Sequence, residues 1–188
     1  MPKLRKLAVI AAGSLLALLL IGLVLPNQWE AQATITIQAK PEHIYESVAN
    51  LRKWRTWSAW NDAADPDCKH VYEGPGSGVG AKWIWDGPTL SNGSLTIIEA
   101  STGKGITYDL VFESMEPARG AVEFEAEGNQ TLVRQRIAGT FNGVFGGWMA
   151  MILPGLMEEQ FLEGLEGLKT RIESMGTGTP TNAGSNKK

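Results

Sequence analysis

Hydrophobic and polar positions divide the chain into three regimes. From Leu7 to Leu25 there is an unbroken apolar run of 19 residues without a charge. As a helix it extends roughly 28 Å at about 1.5 Å per residue, close to the hydrocarbon thickness of a bilayer. From Ala31 to about Gly139 apolar and polar residues alternate in short stretches separated by glycine, proline and asparagine, the mark of strands and turns. From Val144 to Met175 the apolar residues Leu156, Met157, Leu165, Leu168 and Ile172 recur near helical spacing, with Pro154 placed to kink the helix or start its second half. From Gly176 onward, GTGTPTNAGSNKK lacks the apolar residues to bury and reads as a disordered tail, 176–188.

The strand regime resolves further. In AQATITIQA (31–39) Ile35 and Ile37 share one face, and Thr34, Thr36 and Gln38 the other. Asn27 to Gln32 reads as a linker between the apolar run and this strand, with Trp29 at the headgroup level. In KPEHIYESVAN, Pro41 suits a first helical position and Ile44, Tyr45 and Val48 form an apolar stripe. Asn50 caps a second short helix with Leu51, Trp54 and Trp57, which DAADPD ends. Six strands follow in series: CKHVYEG, AKWIWDG, SLTIIEAS, GITYDLVFE, GAVEFEAEG and TLVRQRIAG. The turns PGSGVG (75–80) and GNQ, and the connection SMEPAR, predict an antiparallel meander.

Parity along these strands assigns their faces. Lys82, Asp109, Glu113, Glu123, Glu125, Glu127, Arg134 and Arg136 go to solvent. Trp83, Trp85, Ile106, Tyr108, Leu110, Phe112, Val122, Phe124, Val133, Gln135 and Ile137 then line the inner face. That face is aromatic and aliphatic, with Tyr108 and Gln135 as its polar groups, a composition common to ligand pockets and filled cores. Adding the helix that closes over it, the candidate cavity lining is Trp83, Trp85, Tyr108, Phe112, Phe124, Gln135, Trp148, Ile152 and Met157. Trp54 and Trp57 lie one helical step apart and are expected to pack beside the second short helix, with Trp60 just beyond it.

Charge changes the picture in two ways. Lys3, Arg5 and Lys6 precede the apolar run, so the N-terminus is expected on the cytoplasmic side and the domain outside. In a bacterium that is the periplasmic face of the inner membrane, reached by a single uncleaved span, 1–26. A cleaved signal peptide is the competing reading: its apolar region is shorter, and the candidate site Ala31-Gln32-Ala33 runs into a strand. Beyond Pro26, 14 of the 17 basic residues face all 20 acidic ones, net −6, which argues against a nucleic-acid partner.

Catalytic chemistry is sparse. His43 lies between Glu42 and Ile44 at a helix start, and His70 on an early strand; both read as solvated surface, and nothing in their spacing brings them to one metal. Cys68, the single cysteine, excludes an intrachain disulfide and has no patterned base partner. GPGSGVG lacks the Lys-Ser/Thr ending and the following helix of a phosphate loop. No nucleophile motif, metal set or cofactor site is expected.

Three stretches carry a family resemblance: IYESVANLRKWRTWSAW (44–60), DPDCKHVYEGPGSGVGAKWIWDG (65–87) and FLEGLEGLK (161–169). The chain resembles the polyketide cyclase/dehydrase-like branch of the SRPBCC (START/Bet v 1-like) superfamily from about Ala33 to Glu173, within a domain read as 33–175. The resemblance implies an α+β helix-grip fold, in which a curved seven-stranded antiparallel sheet (β-α-α-β6-α) wraps a long C-terminal helix. It also implies an internal cavity for a small apolar molecule such as a lipid, isoprenoid or polyketide. The expected function is membrane-anchored binding of such a ligand. The alternatives are a cyclase-like enzyme with Tyr108 as acid, and an envelope protein with a filled core that binds a partner or serves structure alone.

Overall fold

In the computed structural model, residues 2–113 and 115–176 are described. Helix α1 (Pro2–Val24) leads into strand β1 (Gln28–Ile37), then the short helices α2 (Pro41–Ala49) and α3 (Leu51–Trp54). Strands β2 (Lys69–Glu73), β3 (Lys82–Gly87), β4 (Ser91–Ser101), β5 (Gly105–Phe112), β6 (Ala118–Glu127) and β7 (Gln130–Thr140) follow, and α4 (Gly146–Gly176) ends the described chain. The strands form one antiparallel sheet in the order β1-β7-β6-β5-β4-β3-β2. Consecutive hairpins give the meander, and β1 closes it by pairing with β7 from Gln28↔Thr140 to Ile37↔Thr131. Ile98 is an extra residue between the pairs Ile97↔Tyr108 and Glu99↔Thr107, a bulge that adds twist.

The expected α+β architecture is present: α4 lies against the sheet, mainly over β1, and the core forms between them. Phe161, Leu165, Leu168 and Ile172 supply the buried stripe of α4. Its far end is pinned where the Gln38 backbone N–H donates to Glu173 Oε1 at 2.9 Å. The helix runs unbroken through Pro154, which it holds in its interior. Leu156, which shares the helical spacing of these residues, is exposed, and the buried stripe begins at Met157.

Two readings of the first strand are corrected. The linker expected at 27–32 is strand from Gln28, since pairing with β7 supplies partners for that backbone. Trp29 is buried rather than placed at a headgroup: its ring stacks on Phe141 at 5.5 Å. The tail read from 176 lies outside the described residues beyond Gly176, which closes α4.

The tryptophans of the short helices have a specific role. Trp54 Nε1 donates to the Val48 carbonyl at 2.8 Å, and Trp57 Nε1 to the Ser47 carbonyl at 3.2 Å. Those carbonyls belong to the last turn of α2, where helix carbonyls lack intrahelical partners. The two indoles thus bury their rings and satisfy a helix end together. Asn50 Oδ1 accepts from the Arg52 backbone N–H at 3.1 Å and caps α3 as expected.

From Leu7 onward helix α1 is apolar on every side, and most of its large side chains are exposed. It is a candidate membrane span or signal anchor: the 22-residue segment Lys3–Val24 contains an 18-residue stretch of mean hydropathy 2.8.

Candidate functional site

The inner face of the sheet is built as parity predicts. Trp83, Trp85, Tyr108, Phe124, Gln135 and Met157 are buried together, and Phe112 is half-buried at their edge. Trp83 and Trp85 lie 5.0 Å apart, Trp85 meets the Phe112 edge at 5.7 Å, and Tyr108 meets Trp54 edge-on at 5.6 Å. Three large rings face a glycine across the ladder: Trp29↔Gly139, Trp85↔Gly93 and Tyr108↔Gly120. A Cβ on Gly93 would stand 2.4 Å from Trp85, and one on Gly120 would stand 2.3 Å from Tyr108, so each ring occupies the space its partner leaves empty. These rings pack on one another and on backbone.

Two residues expected to line a cavity lie elsewhere. Ile152 is exposed on α4. Trp148 turns to α1, where its indole N–H donates to the Leu18 carbonyl at 3.3 Å. Both belong to the half of α4 that precedes Met157 and lies beyond the inner face. Helical spacing could not reveal that the buried stripe starts only at Met157.

Where α4 meets the segment 58–60 over β7 there is a crevice of about 10 Å³, lined by Ser58, Ala59, Trp60, Gln135, Gln160, Phe161 and Gly164. That is room for roughly one water molecule. Trp60 and Phe161 meet edge-on across it at 6.2 Å. Of its lining, sequence reasoning identified Gln135 and missed the segment 58–60 and Phe161. The spacing of Phe161 with Met157, Leu165 and Leu168 was the available signal. The crevice is kept narrow by close backbone contact: a Cβ on Gly164 would stand 3.2 Å from Ser58 Cα, and one on Gly167 2.6 Å from the Trp57 carbonyl oxygen.

Tyr108 Oη is buried without a well-formed hydrogen bond among the described residues. Its polar neighbour is Gln135, which lines the crevice. Burial pushes the Tyr108 phenol well above its ordinary range, with Gln135 a weaker opposing influence. A phenol so shifted is a weaker acid, which disfavours Tyr108 as the proton donor of a cyclase-like reaction.

A second cluster gathers at the start of β2. His70 was expected to be solvated, yet its side chain is only 6% exposed because it sits beside Trp83. The Trp83 indole N–H donates to His70 Nδ1 at 3.1 Å, leaving Nε2 to face Asp62 Oδ1 at 3.5 Å. Arg55 Nε in turn donates to Asp62 Oδ1 at 2.7 Å. Burial first, and the Arg55 charge second, hold the His70 imidazole below its ordinary value. The hydrogen bond from Arg55 holds the Asp62 carboxyl below its own. Cys68 Sγ lies 4.0 Å from His70 Nδ1, a base the sequence did not pair with it. The contact does not activate the thiol: Nδ1 already accepts from Trp83, and burial followed by the charge of Asp65 pushes the thiol up.

His43 is exposed on α2. Glu123, on the outer face, is paired with Arg136 at 3.0 Å and Arg134 at 3.9 Å. Among the described residues no group of three or more His, Cys, Asp or Glu side chains is arranged to hold a metal ion.

Comparison with solved structures places this geometry in a known architecture. The crystal structure of TTHA0849 from Thermus thermophilus matches with a TM-score of 0.61 at 18% identity, covering 79% of this chain and 99% of that one. The crystal structure of the di-domain ARO/CYC StfQ from the steffimycin biosynthetic pathway matches with a TM-score of 0.62 at 12% identity, over 79% of this chain and 52% of that one. The structure of Ara h 8.0201 matches at 0.51 with 14% identity, over 79% and 97%. At these identities the likeness shows the shared Bet v 1-like helix-grip fold. A search of curated proteins finds no match. The family model described as "Polyketide cyclase / dehydrase and lipid transport" matches residues 28–173, and the chain belongs to that family, within the SRPBCC superfamily.

Proposed function

We propose that the protein binds a small, mainly apolar molecule bearing one hydrogen-bonding group, in the space between α4 and the sheet, while α1 tethers it to a membrane. The observation that carries this reading is the Tyr108 hydroxyl, buried without a well-formed hydrogen bond beside Gln135 at the crevice. A buried polar atom without a partner costs free energy unless something satisfies it. A few polar groups in an apolar, aromatic surround are what orients a ligand in a pocket. The family description, which includes lipid transport, supports the same ligand class. At about 10 Å³ the crevice is too small to hold such a ligand, so in this reading the structure is its closed state. Entry requires α4 to part from residues 57–59, where Gly164 and Gly167 hold it close.

In this reading α1 remains uncleaved, with Lys3, Arg5 and Lys6 on the cytoplasmic side and the domain outside the cytoplasm, at the inner membrane of a bacterium. A reporter that is active only outside the cytoplasm, fused to the C-terminus, tests the orientation. A mature N-terminus near Thr34 would show cleavage.

A second reading is favoured by the size of the crevice: a filled core with no ligand, and a role in structure or partner binding. Native mass spectrometry of the detergent-extracted full chain, with titration of a fluorescent fatty acid, separates the two. Ligand binding requires a bound mass or saturable probe binding, weakened about tenfold, or about 1.4 kcal/mol, by Gln135→Leu. Neither signal in the wild-type protein, with Gln135→Leu as stable or more stable, would establish the filled core.

A further inference from the structure

We propose that the N-terminal half of α4, together with Phe145 just before it and as far as Leu156, lies within the lipid leaflet that receives the C-terminal end of α1, as a second, non-spanning membrane element. The inference rests on α1 entering the membrane.

The composition of α4 changes abruptly along its length. No charged residue occurs from Ile137 to Met157, and Glu158 and Glu159 open the charged half. In the uncharged half Leu153 packs against the core, but five large side chains point away from it: Phe145 is 67% exposed, Met151 63%, Ile152 61% and Leu156 56%, with Met149 at 42%. Phe145, Met149, Ile152 and Leu156 follow one another at spacings of four, three and four, so they line one face of the helix. A contiguous apolar surface of this kind on a soluble domain marks an interaction site.

The position of this half relative to α1 identifies the occupant. Trp148 donates its indole N–H to the carbonyl of Leu18, a residue inside the span segment Lys3–Val24. Leu18 lies about 9 Å along the helix axis from the end of α1 at Val24. Gly22 and Gly147 bring the two backbones together: a Cβ on Gly22 would stand 2.4 Å from the Val144 carbonyl oxygen, and one on Gly147 2.9 Å from the Gly22 carbonyl oxygen. Small residues at the crossing are how helices approach in lipid. A span that holds Leu18 at membrane depth therefore holds Trp148 at that depth. The exposed face of α4 then continues the apolar surface of Leu20, Ile21 and Leu23. With no charge to set a register, this surface suits hydrocarbon better than a specific protein partner. Glu158 and Glu159 mark the return to water, with Phe161 at the crevice one turn beyond. The leaflet then lies next to the proposed binding space.

The test uses the full chain in phosphatidylcholine/phosphatidylglycerol vesicles, in a Cys68→Ser background. An environment-sensitive fluorophore is attached at Ile152→Cys, Leu16→Cys or Glu163→Cys in turn. Doxyl-labelled lipid and aqueous iodide serve as quenchers. Lipid quenching at position 152 should match that at position 16 and exceed that at position 163 several-fold, with iodide showing the reverse order. Lipid quenching at 16 with iodide quenching at 152 would overturn the inference and leave the membrane span intact. Iodide quenching at both would overturn the span and the inference together. Shielding of 152 from both quenchers would show that a protein surface, such as a second copy of this chain, covers the helix, and would overturn it as well.

Discussion

Tyr108 lies over Gly120, its cross-strand partner on β6, and a Cβ at position 120 would stand 2.3 Å from the phenol ring and 2.5 Å from its oxygen. The missing side chain is what allows a large ring onto the inner face and turns its hydroxyl toward Gln135. Gly120→Ala is expected to displace the ring and cost about 1–3 kcal/mol by overpacking. Urea unfolding of the detergent-solubilised protein measures the loss. Combined with Tyr108→Ala, the substitution should cost markedly less than the sum of the two. Strict additivity would show that the pair does not constrain each other.

The capping indoles predict a contrast among neighbouring tryptophans. Trp54→Phe retains most of the buried ring but leaves the Val48 carbonyl without its donor. With the unpaired carbonyl worth about 1–3 kcal/mol and lost packing added, a total of about 2–4 kcal/mol is expected. Trp60→Phe, at a half-buried position, should cost under about 1 kcal/mol. Equal costs at the two positions would remove the capping role.

Asp65 offers a test of the loop that borders the crevice segment. Its buried Oδ2 accepts from the Thr89 and Leu90 backbone N–H groups at 2.8 and 2.9 Å, holding the β3–β4 turn. Asp65→Ala leaves both donors unpaired and is expected to cost about 2–4 kcal/mol. Asp65→Asn keeps an acceptor oxygen and should recover part of the loss. A neutral Asp65→Ala would mean that water reaches those donors.

His70 should make stability depend on pH. Its folded value is below the ordinary 6.5, owing first to burial and then to Arg55. The unfolded chain therefore binds the proton more readily, and stability rises with pH through this window. The contribution is complete above about pH 6.5 and is lost as pH falls toward and past the folded value. Protonation also removes the lone pair on Nδ1 that accepts from Trp83. Unfolding free energies at several pH values between 7.5 and 5 should fall more steeply for the wild type than for His70→Gln. Parallel slopes would dismiss His70 as the titrating group.

Much of the fold is determined by local pattern. The parity of GITYDLVFE and TLVRQRIAG assigned Tyr108 and Gln135 to the inner face because a pleated strand alternates its side chains wherever it pairs. The apolar run before Leu25 and the Asn50 cap are local in the same sense. What only the tertiary structure decided depends on residues distant in sequence. Trp29, read as a headgroup anchor, is buried because β1 crosses to β7 and meets Phe141. His70, read as solvated, is covered by Trp83 from the adjacent strand. Trp148 and Ile152 satisfied the helical spacing of a cavity wall, yet they face α1 and the surroundings, because periodicity describes one helix and carries no information about where its partner ends. The glycines opposite Trp85 and Tyr108 explain how the rings fit, but the need for them becomes visible only once the register pairs position 93 with 85 and 120 with 108. Whether the inner face is a pocket or a core is a matter of interatomic volume. That volume is set by how closely Gly164 and Gly167 bring α4 to residues 57–59, a distance no pattern of residue types encodes.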